Sequence, residues 1–360
     1  MIVRKLTATM LAGMVPCLSY AQSSVTLYGV VDIFVAHFHQ GSQNVTSMNS
    51  GGGMGSRWGV RGAEDLGGGY QAFFALENGF NANNGTLAQG GREFGRQAYV
   101  GIRKEEYGSL RFGRLETPGY VWALKYDAIG LPTVGVLGTL GGTDPRPWAY
   151  NPFTDPSRVD NGILYLSPKW HGFSIALLHS LSGNAGQPIN KSYDVDSITY
   201  ENDTLSASYG FAHGTGTTNS TAATKSDVEH NFGVKYKTPW FSVFGTYQLR
   251  KPSDSPTDRL WQTGVQIPIG VFDTLRVAYG SLNNGVTNGT NAQTTNTDAK
   301  TWAVAEVHVL SKMTLVYAFF QRLYDSGNSR MALYPPGGIS STNVINANET
   351  AWGIGLQHRF

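Results

Sequence analysis

Cysteine is almost missing from this chain. The single one, Cys17, falls within the first 21 residues, which read as a cleaved leader. The mature chain then offers no disulfide, thiol nucleophile or cysteine metal site. Charge is also scarce: Asp, Glu, Lys and Arg make up 14% of the residues, against about 25% in ordinary globular chains. Beyond the leader no segment approaches the ~18 consecutive apolar residues of a spanning helix. The histidines show no H-E-x-x-H or H-x-x-x-H spacing, so no zinc site is expected. Asp194 and Asp196 lie two apart, but no EF-hand loop follows, which leaves a solvated strand face as the expectation. There is no P-loop, nucleophile elbow or dinucleotide fingerprint, so neither cofactor nor catalysis is indicated.

Arg4 and Lys5 head an apolar run, Leu6 to Leu18, that ends in Ser19-Tyr20-Ala21. This is the layout of a secretory signal peptide, with Gln22 as the new N-terminus. The run is too short for an anchor helix, and Met14-Val15-Pro16 before Cys17 is a poor lipobox. We expect residues 1–21 to be removed and 22–360 to form one domain. Arg4 and Lys5 account for the formal charge of +2. The mature chain is therefore neutral overall, which argues against a nucleic-acid partner.

What is abundant is glycine, 45 of 360 residues, with 18 Tyr and 17 Phe. An exported chain poor in charge and rich in glycine and aromatics fits a membrane β-barrel. A secreted solenoid or adhesin fits the same composition.

The dominant period is two. Trp352, Ile354, Leu356, His358 and Phe360 share one face; Ala351, Gly353, Gly355, Gln357 and Arg359 share the other. Phe173, Ile175, Leu177 and Leu181 oppose Ser174, Ala176 and Ser180, and Met313, Leu315, Tyr317, Phe319 and Leu323 oppose Thr314, Ala318 and Arg322. A soluble sandwich alternates in the same way, so alternation alone does not decide.

Connection lengths discriminate better. Seven short connections, at 66–69, 105–109, 168–172, 201–204, 238–240, 269–273 and 310–313, alternate with eight longer polar stretches. Those lie near 39–53, 81–93, 118–157, 183–191, 214–226, 252–258, 283–298 and 325–348. Together they delimit sixteen strands. Short turns at one end and long loops at the other mark an outer-membrane barrel. The expected fold is thus all-β, a closed transmembrane antiparallel barrel. Closure is required because an open edge in hydrocarbon leaves backbone groups unpaired. Barrels of 16–18 strands leave an aqueous channel.

Ordered motifs then identify a family. They run from Ser24–Asp32 (SVTLYGVVD) through Ser56–Gly62 (SRWGVRG), Glu64–Gly67 (EDLG), Arg96–Gly101 (RQAYVG), Gly108–Arg114 (GSLRFGR) and Arg158–Asn161 (RVDN). Ser167-Pro168 and Gly172-Phe173 follow, and Gly355–Phe360 (GLQHRF) closes the chain. In order and spacing they resemble the general-diffusion porins of the betaproteobacterial branch, over essentially the whole mature chain. The resemblance implies a sixteen-stranded homotrimer in the Gram-negative outer membrane, surrounded by lipid and lipopolysaccharide, with one pore per subunit for small hydrophilic solutes. It implies a third loop folded into the lumen to form a constriction, and charged groups there that set ion preference. It also implies that the strand ending in Phe360 is read by the barrel-assembly machinery.

By the same resemblance Arg57, Arg96 and Arg158 are the leading pore-wall residues, with Arg61 and Arg114 second. An arginine facing mid-membrane lipid costs about 2–4 kcal/mol, which favours the lumen for each. The 118–157 segment, rich in Tyr120, Trp122, Tyr126, Trp148, Tyr150 and Phe153, is the constriction candidate. It should turn Asp127, Asp144 or Asp155 to the arginines. The acidic-Phe-Gly-Gly loop tip of enteric porins is absent, so which acid does so stays open. Trp170, Trp240, Tyr28 and Trp352 are candidate girdle residues at the membrane interfaces. The expected function is passive diffusion with a mild anion bias; a channel specific for sugars or small organic acids is the alternative.

Overall fold

A computed structural model describes residues 24–142, 157–181, 192–215, 226–253, 257–283, 298–325, 333 and 348–360. The expected leader lies outside them. The described strands are β1 (Ser24–Gln40), β2 (Gln43–Ser50), β3 (Arg57–Gly67), β4 (Tyr70–Gly79), β5 (Gln97–Lys104), β6 (Gly108–Glu116), β7 (Arg158–Leu166), β8 (Phe173–Ser180) and β9 (Ser192–Glu201). They continue with β10 (Leu205–Thr215), β11 (Ser226–Lys237), β12 (Ser242–Pro252), β13 (Asp258–Ile269), β14 (Asp273–Asn283), β15 (Ala299–Val309), β16 (Thr314–Asp325) and β17 (Glu349–Arg359). Two helices, α1 (Pro118–Tyr126) and α2 (Val136–Gly142), follow β6.

These strands close into a sixteen-stranded antiparallel barrel. β1 pairs with β17 from Val30–Arg359 to Gln40–Glu349. Gly29 and Phe360 complete the seam with reciprocal backbone hydrogen bonds of 3.0 and 3.1 Å. Among the described strands no edge remains to meet lipid.

Seventeen strands make sixteen staves because β2 and β3 share one. β2 covers the long-loop half of β1, Ile33–Gln40, and β3 covers the short-turn half, Ser24–Val30. The expected loop over 39–53 is therefore corrected. It is a tight turn at Gly41-Ser42 followed by a strand. Gln43 to Ser50 is polar and looks like loop, but its backbone pairing is what the stave requires. Between the halves, residues 51–56 leave the ladder. The buried Asp32 carboxylate holds them by accepting from Gly53 N (3.0 Å) and Met54 N (2.9 Å). All seven expected short connections are present. The β3–β4 turn is three successive glycines, Gly67, Gly68 and Gly69, each at positive φ, which only glycine adopts without strain.

Strand faces alternate as the period-two pattern requires. Ile175, Leu177, Phe232, Val234, Trp352, Ile354 and Leu356 are exposed on the outside. β16 departs from expectation: Tyr317, Phe319 and Leu323 are buried and point inward. Ala318 and Phe320 take the outer side. The reason is a partner that local pattern does not reveal. Tyr317 donates to Asp32 Oδ1 (2.7 Å), and Phe319 meets Phe34 edge-on at 6.0 Å. Trp170, Trp240 and Trp352 are exposed, as interfacial residues should be. Tyr28 is not one of them; it turns inward to Glu77.

Candidate functional site

The chain after β6 turns sharply into the barrel. The Thr117 hydroxyl caps α1 by accepting from Tyr120 N (3.1 Å), and Pro118 occupies the first turn, where its missing N–H costs nothing. The aromatics of α1 settle on glycines of the inner wall. Gly233 leaves space for Tyr126 and Trp122, Gly264 for Ala128, and Gly280 for Val136. Ile129, Leu137 and Leu140 are fully buried with Leu260, Leu282 and Ala303 of the wall.

A buried loop must satisfy its backbone polar groups. Here the wall's polar side chains do so. Gln262 Nε2 donates to Tyr126 O (2.8 Å), Gln266 Nε2 to Ala128 O (2.8 Å) and Arg276 Nη1 to Ile129 O (2.7 Å). Gln321 Nε2 donates to Thr139 Oγ1 (2.7 Å) and Thr133 Oγ1 to Gly51 O (2.5 Å). Residues 118–142 thus lie along the inner face of β9 to β16 and reach the 51–56 excursion on the other side.

Asp127 does not face the arginines. Its carboxylate accepts from Ile129 N (2.9 Å) and Leu137 N (2.9 Å), folding the loop on itself. Burial pushes this carboxyl up to about 6, although the amide hydrogen bonds oppose the rise. The sequence expectation is corrected for this residue: an acid in a loop reads as solvent-facing, whereas free amides nearby claim it. Asp144 and Asp155 lie outside the described residues.

Arg57, Arg96 and Arg158 do converge, and two wall glutamates join them. Arg96 Nε lies 2.6 Å from Glu77 Oε1, and its Nη2 lies 3.1 Å from Glu116 Oε1. Arg158 Nη2 meets the same Glu116 oxygen at 3.0 Å. Arg57 is more loosely held, with Nε 3.9 Å from Glu77 Oε2. Tyr28 donates to Glu77 Oε2 (3.0 Å). From α1, Tyr120 accepts from Arg96 Nη2 (3.3 Å) and stacks under the Arg158 guanidinium at 4.4 Å. Burial alone would raise the Tyr120 phenol; the adjacent Arg96 charge outweighs it, and the phenol sits below its ordinary value.

Sequence reasoning missed Glu77, Glu116, Tyr28 and Asp160. Glu77 stands across from Gly59 and Gln97 in the ladder and Glu116 across from Arg158, pairings that no local pattern in the chain announces. Arg61 lies over the Tyr28 ring at 5.2 Å and has no ion pair among the described residues. Arg114 lies apart from the three, where it binds Asp160 Oδ1 (2.7 Å) with Arg92. Three arginines against two glutamates leave this cluster one positive charge in excess, and Arg61 adds another.

Comparison with known proteins places the chain. A family model described as Gram-negative porin matches residues 7–328. An outer membrane porin protein of Bordetella pertussis is 26% identical, with 99% of each chain covered. Outer membrane porin protein 32 of Delftia acidovorans is 26% identical over 94% of this chain and 95% of its own. Among solved structures, the anion-selective porin from Comamonas acidovorans superposes with a TM-score of 0.80 at 24% identity, covering 94% of this chain and all of that one.

Proposed function

Because the chain belongs to the Gram-negative porin family, and so to the outer membrane, we propose that it passes ions and small hydrophilic solutes passively, with a mild preference for anions. The observation that carries this reading is the charge imbalance of the Arg57–Arg96–Arg158 cluster over Glu77 and Glu116. Loop residues 118–142 narrow the lumen opposite that cluster and bring Tyr120 onto it. Fixed charges lining a pore bias which ions enter. The bias is mild because two of the three arginines are held in close ion pairs. The Comamonas acidovorans neighbour is an anion-selective porin, which agrees with the sign.

In this reading the chain is a homotrimer in lipid and lipopolysaccharide, and the C-terminal strand carries the assembly signal. Phe360 is half exposed at the barrel seam, where a receptor has access to it. Single-channel recording of the purified protein tests the reading. The expected trace is an ohmic current with three equal closing steps. A folded barrel that carries no current would overturn it.

One observation favours the narrower alternative. A cavity beside α1 is lined by Arg111, Trp122, Lys125 and Tyr126, a mixture of cations and aromatic faces suited to small organic acids or sugars. Saturable flux for one solute class would select that alternative; flux linear in concentration selects general diffusion.

A further inference from the structure

The outer face of β14 and β15 carries a group of side chains that passive diffusion does not use. Asp273 is the first residue of β14 and stands directly across from His308 on β15. Glu306 is two residues before His308 and so projects from the same face. The register is fixed by the backbone bond from Val309 N to Phe272 O (2.9 Å) at the short turn. His308 Nδ1 lies 2.5 Å from Asp273 Oδ1, and one donor atom from each of the three residues lies within 4.8 Å of the others.

Two features set this group apart from ordinary surface charge. The Asp273 and Glu306 carboxyls bring oxygens within 4.8 Å of each other, a spacing at which two negative charges repel unless a proton or a cation lies between them. Among the described residues no lysine or arginine faces either of them; His308 is the one basic group acting on both. Glu77, Glu116, Asp160 and Asp258, by contrast, are each paired with an arginine.

We propose that Asp273, Glu306 and His308 form a divalent-cation site of the zinc type on the outer surface of the barrel, at the short-turn rim. One imidazole nitrogen and two carboxylate oxygens are the donors such an ion takes, at about 2.0–2.2 Å each. Atoms at that distance from a common centre are separated by no more than about 4.4 Å, so a small closing movement of the flexible Glu306 side chain completes the set. The imidazole selects zinc over magnesium or calcium, which prefer all-oxygen sites. Each of the three side chains is partly exposed, so hydrated ions reach the group and water fills the remaining positions. The ligands come from two paired strands, which is why no helical His-x-x-x-His spacing announces them.

Isothermal titration of zinc into the folded full-length protein in detergent tests the proposal. We expect saturable binding of one zinc per chain at neutral pH. His308→Ala should weaken it at least tenfold, as should Glu306→Gln, a milder change that keeps the side-chain shape. His171→Ala, on a different turn, should leave it unchanged, and an equal concentration of magnesium should not compete. Heat-modifiable gel mobility verifies that each variant is folded. Absence of saturable zinc binding in the parent would overturn the proposal, as would equal binding by the parent and by folded His308→Ala. Conductance should be the same in all these proteins, so failure of the zinc site and failure of the channel reading are distinguishable.

Discussion

The inner wall of this barrel consists of two unlike surfaces. From β3 to β7 it is charged: Arg57, Arg61, Arg96, Arg114 and Arg158 alternate with Glu77, Glu116 and Asp160. From β9 to β16 the surface under residues 118–142 is mostly glycine, alanine, leucine and glutamine, with Arg276 as a hydrogen-bond donor, and the loop lies on it as a helix lies on a globular core. The same closed sheet therefore holds a packed interior on one arc and an ionic one on the other. The difference shows how a wide barrel is narrowed. Apolar burial, at roughly 25 cal/mol per Å2, anchors the loop on one arc and leaves the other arc to the charges. If ion preference resides in the charged arc, as proposed, the two arcs have separate roles and can be perturbed separately.

The largest expected effect is on the charged arc. Arg96→Ala removes the common partner of Glu77 and Glu116, and breaking a buried pair costs about 3–5 kcal/mol. Denaturant unfolding of the detergent-solubilised protein should show that loss, while a change below about 1 kcal/mol would mean water already screens these pairs.

The packed arc should respond to pH instead. Asp127 is held with its carboxyl raised to about 6 from 3.8. The folded loop therefore binds its proton more tightly than the unfolded chain does. The corresponding stability is full below about pH 4 and is lost as pH rises through 6, by roughly 3 kcal/mol in total. Melting temperatures between pH 4 and 7 should fall along that course, and Asp127→Asn should flatten it. An equal slope in the variant would assign the effect to another group.

A smaller effect tests whether the loop is seated on the wall. A Cβ at Gly233 would lie 2.8 Å from the Tyr126 ring and 3.0 Å from Trp122. Gly233→Val should cost about 1–3 kcal/mol through overpacking and displace α1 toward the lumen, lowering single-channel conductance. Unchanged conductance and stability would detach α1 from this face.

The sequence displayed the barrel more fully than the pore. Turn glycines such as Gly67–Gly69 and the alternation in β8 and β17 are local signals, and they located all seven short turns. The broken stave was hidden because Gln43–Ser50 carries almost no apolar residues; its strand is dictated by β1. The inward face of β16 was hidden because a Tyr or Phe looks the same to lipid as to a packed loop. Arg57, Arg96 and Arg158 could be named because they match the inward cluster of the family the motifs resemble, and the cost of an arginine in lipid agrees. Their partners could not, because Glu77 and Glu116 reach them only across strand pairings far apart in sequence. Asp127 read as a pore acid until the amides of Ile129 and Leu137 were seen beside it.

The assignment of ion preference to the charged arc is tested most directly by the reversal potential in a salt gradient, for the parent and for Arg57→Gln. Arg57 is the loosest member of the cluster, 3.9 Å from Glu77, so its loss should spare the fold. The parent should reverse on the anion side, and Arg57→Gln should move toward the cation side. A cation-selective parent, or a variant that reverses at the same potential, would contradict the account.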